Sequence, residues 1–367
     1  MSSQATAAAP AAQPAADERI YKPSFASRLL ARPELGAVSG AVILIVFFLL
    51  AADSRMFSIS GLFNWLEVCA QLGIIAIGAC LLMIGGEFDL SIGSMIGFSS
   101  AILAMLIVNG GLPSWLAILL AFSLAMGIGF VLGTIVVVSR LPSFIVSLAF
   151  LFLLRGLMLV SMRLFHGDTQ VEGISHMRDE DFFAWLFGGD LFTVETVFVR
   201  GNRENIIEVG IPMSLAWLAV LALAATWILA RTRAGNWIYA SGGNANSARS
   251  VGVPVNAVKI ALFMFTALCA AIFGAIQAFD GGSVDAARGN LKDLEAIAAS
   301  VIGGALLTGG YGSVIGACLG ALIYGMVNLG FQYTSIDGDW YRVFLGGILL
   351  MAVAFNTFIR RRITGGS

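Results

Sequence analysis

Ionisable and amide side chains are scarce in this chain, so each can be weighed singly. Of 367 residues only 12% are charged and 58% are hydrophobic. Glu67 and Gln71 stand four apart, one helical turn, and share a face. Gln277 and Asp280 close an apolar run, and Asn328 falls late in another. Arg155 interrupts FLFLLRGLMLV, while Glu87 and Asp89 lie in GGEFDLSIGS (85–94). Polar groups within apolar runs of membrane length mark solute or ion pathways. Neutral donors and acceptors gathered near one end suit an uncharged, polyhydroxylated solute better than an ion. Asp89 reads first as a helix cap and second as a pathway group. Arg155 either lines a polar path, snorkels to the interface or joins a structural ion pair.

Catalytic constellations are missing from the sequence. No GxxxxGK[ST] phosphate loop occurs: Val258 precedes Lys259 and Leu291 precedes Lys292. If ATP is used, another chain binds it. The run GGALLTGGYG (303–312) lacks lysine and reads as packing. Cys69, Cys80, Cys269 and Cys318 lie in apolar segments without CxxC spacing, which supports neither zinc nor a disulfide framework. His166 and His176 share a polar loop without helical spacing, so no metal is expected. A net charge of −1 carries no nucleic-acid signature.

The elements that must position these groups are membrane helices. About 20 residues of helix cross a bilayer core. On that ruler the spans are 36–52, 64–84, 91–109, 114–139, 142–160, 211–230, 257–280, 294–308, 313–331 and 342–358. Ten spans define an all-α polytopic membrane protein, with 294–308 short enough to be a half-helix or re-entrant segment. Residues 1–35 open with an Ala/Pro/Gln-rich run expected to be a disordered cytoplasmic tail. Arg19, Lys22, Arg28 and Arg32 precede an uncleaved first span, placing the N-terminus inside. Arg140, Arg231, Arg233, Arg249, Lys259 and Arg360–Arg362 then fall on the same side, with the C-terminus and the tail 359–367 also inside.

That orientation makes 161–210 an external loop, richer in acids than bases. Within it EDFFAWLF (180–187) reads as a short interfacial helix, either a docking point for a soluble partner or a lid. The stretch 231–256 becomes a basic cytoplasmic loop without an acid. A short helix is expected to start near Asn244 or Asn246 and stop before Gly252 and Pro254. It is either a connector or a handle that a cytoplasmic partner pushes. Gly312/Gly316/Gly320, Gly129/Gly133 and Gly93/Gly97 are read as small-residue stripes, with packing inside the chain favoured over a dimer seam.

Four segments carry a family resemblance. GGEFDLSIGS (85–94), LPSFIVSLAFLFLLRGL (141–157), YASGGNANSARSVGVPV (239–255) and LEAIAASVIGGALLTGGYGSVIGACLGAL (294–322) occur in this order. Each resembles a signature of the ribose-permease-like family of sugar-importing ABC permeases. The chain departs from that pattern at Glu87–Phe88, at Ser147 where threonine is usual, and in its longer external loop.

The resemblance implies a permease domain over 36–358 in a bacterial inner membrane. It implies a second permease subunit forming a homodimer, a cytoplasmic ATPase that holds ATP and Mg, and a periplasmic sugar-binding protein. It also implies that Gly242, Gly243, Asn244, Ala248, Arg249 and Gly252 couple the bundle to that ATPase. Glu67, Gln71, Asp89, Arg155, Gln277 and Asn328 are the candidate pathway groups, and the solute is a pentose, hexose or polyol. Branched-chain amino acids, nucleosides or a furanone signal are alternative solutes. An ion-coupled secondary transporter is a third reading, but the sequence shows no convincing midplane acid or inverted repeat for it.

Overall fold

The computed structural model describes residues 33–200, 203–337, 340–341, 343–351 and 354. Residues 1–32 of the expected tail 1–35 and the Arg360–Arg362 run therefore lie outside the described residues, while 33–35 already belong to a helix and 340–341 and 343–351 are helical. Within the apolar segments every described element is a helix. Pro33 opens α1 (Pro33–Ala51), where its missing N–H costs nothing. Ser58 caps α2 (Ile59–Ile84) by accepting from Gly61 N at 3.2 Å, and the glycine pair 85–86 ends it, Gly86 at φ +83°. Then follow α3 (Ile92–Val108), α4 (Ser114–Ser139) and α5 (Ser143–Ser161), the last two entered through Pro113 and Pro142.

The segment between α5 and the next long helix is where the wholly helical expectation needs amending. It holds β1 (Gln170–Glu172) and the short helices α6 (Met177–Glu180) and α7 (Phe182–Gly188). A two-stranded hairpin follows, β2 (Asp190–Arg200) against β3 (Arg203–Pro212), in one register from Thr193↔Gly210 to Arg200↔Arg203 with a shift between Asp190 and Thr193. The strands run through TVETVFV and ENIIEVGIP, whose many β-branched residues favour extended backbone. That preference sits inside what reads as a loop.

After the hairpin come α8 (Met213–Arg231), α9 (Arg233–Gly243), α10 (Ala245–Ser250) and α11 (Val255–Gly281). Strand β4 (Ser283–Asp285) pairs with β1, tying the hairpin segment to the end of α11; its Val284 faces Val171, both fully buried. The short helix α12 (Lys292–Ile302) and then α13 (Val314–Gly330) follow, ahead of the helical residues 340–341 and 343–351. Among the described residues six helices are long and apolar enough to cross a membrane, and two shorter apolar ones, Gly36–Ala51 and Ile92–Val108, join them.

α2 is the central helix. It packs on α8, α11, α12 and α13, and is buried continuously from Cys69 to Ile84. In mid-course its carbonyls accept from two neighbours: Thr266 Oγ1 to Gly78 O at 3.2 Å and Ser300 Oγ to Ala76 O at 3.0 Å. Lipid tails give little hydrophobic drive to join helices, so close backbone approach supplies the contact. A Cβ on Gly320 or Gly316 would fall on the carbonyl of Ala299 or Gly303, and one on Gly133 would lie 3.0 Å from Ile260 Cα. The stripes thus serve packing within the chain, with one correction: Gly312 precedes α13 in a turn and is no part of its face.

Candidate functional site

The two ends of the bundle are built differently. One, the hairpin end, holds β1–β4, α6 and α7. There Gln71 Nε2 donates to Glu67 Oε1 at 3.0 Å, and Gln277 Nε2 donates to Gln71 Oε1 at 3.1 Å. Arg288 Nη1 continues the chain to Gln277 Oε1 at 3.4 Å. Three of the sequence candidates, Glu67, Gln71 and Gln277, thus form one relay between α2 and α11. Beside it, Arg178 of α6 bridges Asp190 at 2.6 Å and Asp280 at 3.2 Å, and Asp280 also meets Glu67. Each amide both donates and accepts, so the relay can exchange its internal bonds for those of a hydroxylated solute.

Among the described residues Arg155 shows no ion pair. Its Nη1 donates to the carbonyls of Ala286 at 3.0 Å and Arg288 at 2.9 Å, so α5 holds the turn that presents Arg288. Asp89 is buried at 5% exposure, and its Oδ1 accepts from Ser91 N at 2.7 Å and Ser91 Oγ at 2.5 Å, at the entry to α3. Ser91 itself is the N-cap of α3 and makes no side-chain cap bond, so Asp89 closes the turn ahead of the helix and does not cap it. Opposite it, α12 begins with Asp293, equally buried, whose Oδ1 lies 3.1 Å from where a Gly93 Cβ would sit. Two broken segments thus start face to face inside the bundle, each with an acid near the positive end of a helix dipole.

Asn328 is not part of the relay. It neighbours Tyr324 on α13, and Tyr324 in turn meets Glu295, which pairs with Lys292 at 2.6 Å. Arg178, Asp190, Arg288 and Asp293 went unrecognised as site residues in the sequence. Arg178 meets Asp280 across 102 residues, which no local spacing reveals, whereas Arg288 also pairs with Asp285 three residues before it.

The opposite, glycine end is centred on backbone contacts. Three glycine pairs converge: 85–86 after α2, 242–243 closing α9, and 309–310 before α13. Gly310 N donates to Ile84 O at 2.8 Å. A Cβ on Gly242 would fall on that same carbonyl, 2.7 Å from Gly310 N and 2.9 Å from Gly86 N. Gly86, Gly309 and Gly310 take φ of +83°, +79° and +74°, a region open to glycine at no cost. Tyr239 Oη donates to Gly312 O at 2.9 Å, and Phe88 N donates to Ser143 Oγ at 3.0 Å. Lys259 of α11 pairs with Glu87, both side chains mostly buried. All four signature segments therefore meet around residues 84–88.

The remaining candidates of this end lie on the outer side of the joint. Gly243 has nothing within 4 Å of a would-be Cβ and is exposed. Asn244 caps α10, accepting from Asn246 N at 3.1 Å and Ser247 N at 3.0 Å. Exposed Arg249 reaches Asn246 and Asn256, each at 3.2 Å, while Ala248 is buried and Gly252 ends the turn at φ +86°. The sequence reading placed this short helix correctly but missed α9 before it, an 11-residue helix with one apolar face.

Apolar helices that shelter a hydrogen-bonded relay at one end and interlock their turns at the other belong to a polytopic helical membrane protein of the transport class. Comparison narrows this further. A family described as branched-chain amino acid transport system / permease component matches residues 61–353, and the chain belongs to it. It is 30% identical over 313 residues to the ribose import permease protein of Escherichia coli K12, covering 85% of this chain and 90% of that one. The xylose transport system permease protein of the same organism is 30% identical over 364 residues, covering 89% and 92%. The autoinducer 2 import system permease protein of Photorhabdus luminescens is 32% identical over 317 residues, covering 85% and 86%. The chain is a permease component and not itself an enzyme.

Proposed function

We propose that this chain is the membrane subunit of an ATP-driven importer for a monosaccharide or sugar alcohol in a bacterial inner membrane. A periplasmic binding protein delivers the solute at the hairpin end. Two copies of the chain pair, and a cytoplasmic ATPase, holding ATP and Mg, works on residues 231–256 at the glycine end. Ten crossings with both termini inside fit the way successive helices alternate between the two ends. Residues 294–308 count as a partial crossing, because α12 has 11 residues, about 16 Å of helix.

The observation that carries the reading is the junction of α9 with the breaks after α2 and before α13. A lever resting on backbone passes its displacement to the bundle without loss in flexible side chains. The ATPase need only stabilise one bundle state over the other to shift access from one side to the other. For the solute, the Glu67–Gln71–Gln277 relay and the relatives named for ribose and xylose favour a sugar. The relative named for autoinducer 2 keeps a furanone as the second solute class. Asp89, Arg155 and Asn328 support the pathway from its flanks.

The test is uptake into vesicles holding the complete complex. Labelled pentose or hexose should accumulate only with ATP inside and receptor outside. Accumulation by this chain alone, driven by an ion gradient, contradicts the reading. Uptake of a furanone but of no sugar keeps the importer and replaces its solute.

A further inference from the structure

We propose that the Glu87–Lys259 ion pair is a positioning contact that lets the coupling segment pull, as well as push, on the break between α2 and α3. The proposal rests on the reading that residues 231–256 meet an ATPase, and concerns how movement leaves that segment.

The coupling segment grips one short stretch of chain from both of its ends. Its leading helix α9 reaches residues 84–86 through Gly242. Just past its trailing end, Lys259 in the second turn of α11 reaches Glu87. The two contacts differ in kind. Glycine backbone against carbonyl resists approach but hardly resists separation, because dispersion attraction between a few atoms is small. An ion pair out of water resists separation, since its attraction grows as the surrounding polarity falls. A joint with the first contact alone transmits compression; the second adds tension, which a returning stroke requires.

Stability gives a weak reason for the pair. Desolvating two charges offsets much of their attraction, and an apolar pair of similar size would hold the bundle about as well. The chain has three lysines in all, and Lys259 is the one basic residue of α11, with its side chain 16% exposed. From Glu87 the path onward is direct: Phe88 N holds Ser143 at the start of α5, and Asp89 holds Ser91 at the start of α3. Displacing residue 87 therefore moves the entries of two helices together.

The experiment measures solute moved per ATP hydrolysed in vesicles carrying permease, ATPase and receptor. Glu87→Gln, Lys259→Met, the double neutral variant E87Q/K259M and the exchange E87K/K259E are compared with wild type. The double neutral variant leaves no unpaired buried charge, so it assembles even where a single variant does not. It should keep receptor-stimulated hydrolysis yet lose about tenfold in solute per ATP, the usual size of a coupling term. The exchanged pair should recover most of that loss. A double neutral variant as well coupled as wild type, or an exchange no better than the neutral pair, overturns the proposal. A wild-type complex without nucleotide-dependent uptake overturns the importer reading with it, whereas a coupled wild type beside a coupled E87Q/K259M overturns the tie alone.

Discussion

At the hairpin end long side chains span the gaps between helices; at the glycine end three glycine pairs let backbones touch. The relay Arg288–Gln277–Gln71–Glu67 can lengthen or re-pair its bonds as neighbours shift. The junction of Gly86, Gly242 and Gly310 cannot, because peptide groups have no rotamers to spend. The difference separates two jobs. An end that must receive different ligand hydroxyls needs adjustable donors, and an end that must pass on a displacement needs stiffness.

The largest effect should come from breaking that stiffness. Gly242→Val puts side-chain atoms onto the Ile84 carbonyl, where neither backbone can turn aside. Uptake should vanish and the bundle lose about 3 kcal/mol, the upper range for overpacking. Gly243→Ala, one residue on and open to space, should leave thermal stability within about 0.5 kcal/mol. Equal melting temperatures for the two variants would erase the inward and outward faces assigned to this pair.

Breaking the relay should act more gently. Gln277→Leu removes the donor to Gln71 and the acceptor for Arg288, leaving buried polar atoms without partners at a cost of about 1–3 kcal/mol. Its distinctive outcome is an uptake rate down about tenfold while ATP hydrolysis by the complex stays near wild type, as expected when about 1.4 kcal/mol is lost at one step. Uptake and hydrolysis falling in parallel would point instead to a packing role for Gln277.

Arg178 is the next smaller case, since its pairs with Asp190 and Asp280 are partly open to solvent. A double-mutant cycle of Arg178→Ala with Asp190→Ala should return a coupling energy of about 1 kcal/mol, shrinking in high salt. A coupling indifferent to salt would mean that the pair is sealed from water.

The smallest and most local effect belongs to Asp181. It caps α7 with bonds from Phe183 N and Ala184 N, at 2.7 and 3.1 Å, and takes a third from Ser114 Oγ at 2.6 Å. Partial burial works to raise its carboxyl, but these three donors outweigh burial and hold it below the usual range. A carboxylate depressed in the folded state contributes fully above its unfolded value and loses that contribution as pH falls through the folded one. Stability from Asp181 should therefore stay level from neutral pH to near the ordinary value of 3.8 and fade below it. Asp181→Asn should flatten that acid limb, and Asp181→Ala should cost about 1 kcal/mol at neutral pH.

How much was legible beforehand differs between the same two regions. Asn244 announced the start of α10 because capping is a contact over two or three residues. Glu67 and Gln71 paired as expected because a helix turn brings i and i+4 together. Arg155 was visible as an oddity, yet its partners, the carbonyls of Ala286 and Arg288, carry no side-chain signal to read. The hairpin was hidden because its strands lay in a stretch that reads as a loop between spans.

By itself the sequence determined the membrane class, the apolar helices with most of their limits, the family signatures and the lack of a nucleotide loop within the chain. Those properties live in composition, period and short spacings, which do not depend on how segments meet. Tertiary structure alone decided that three glycine pairs form one joint, that Lys259 reaches Glu87 across 172 positions, and that Arg178 finds Asp280 across 102. Such meetings depend on the relative height and rotation of packed helices. No window of sequence contains that geometry.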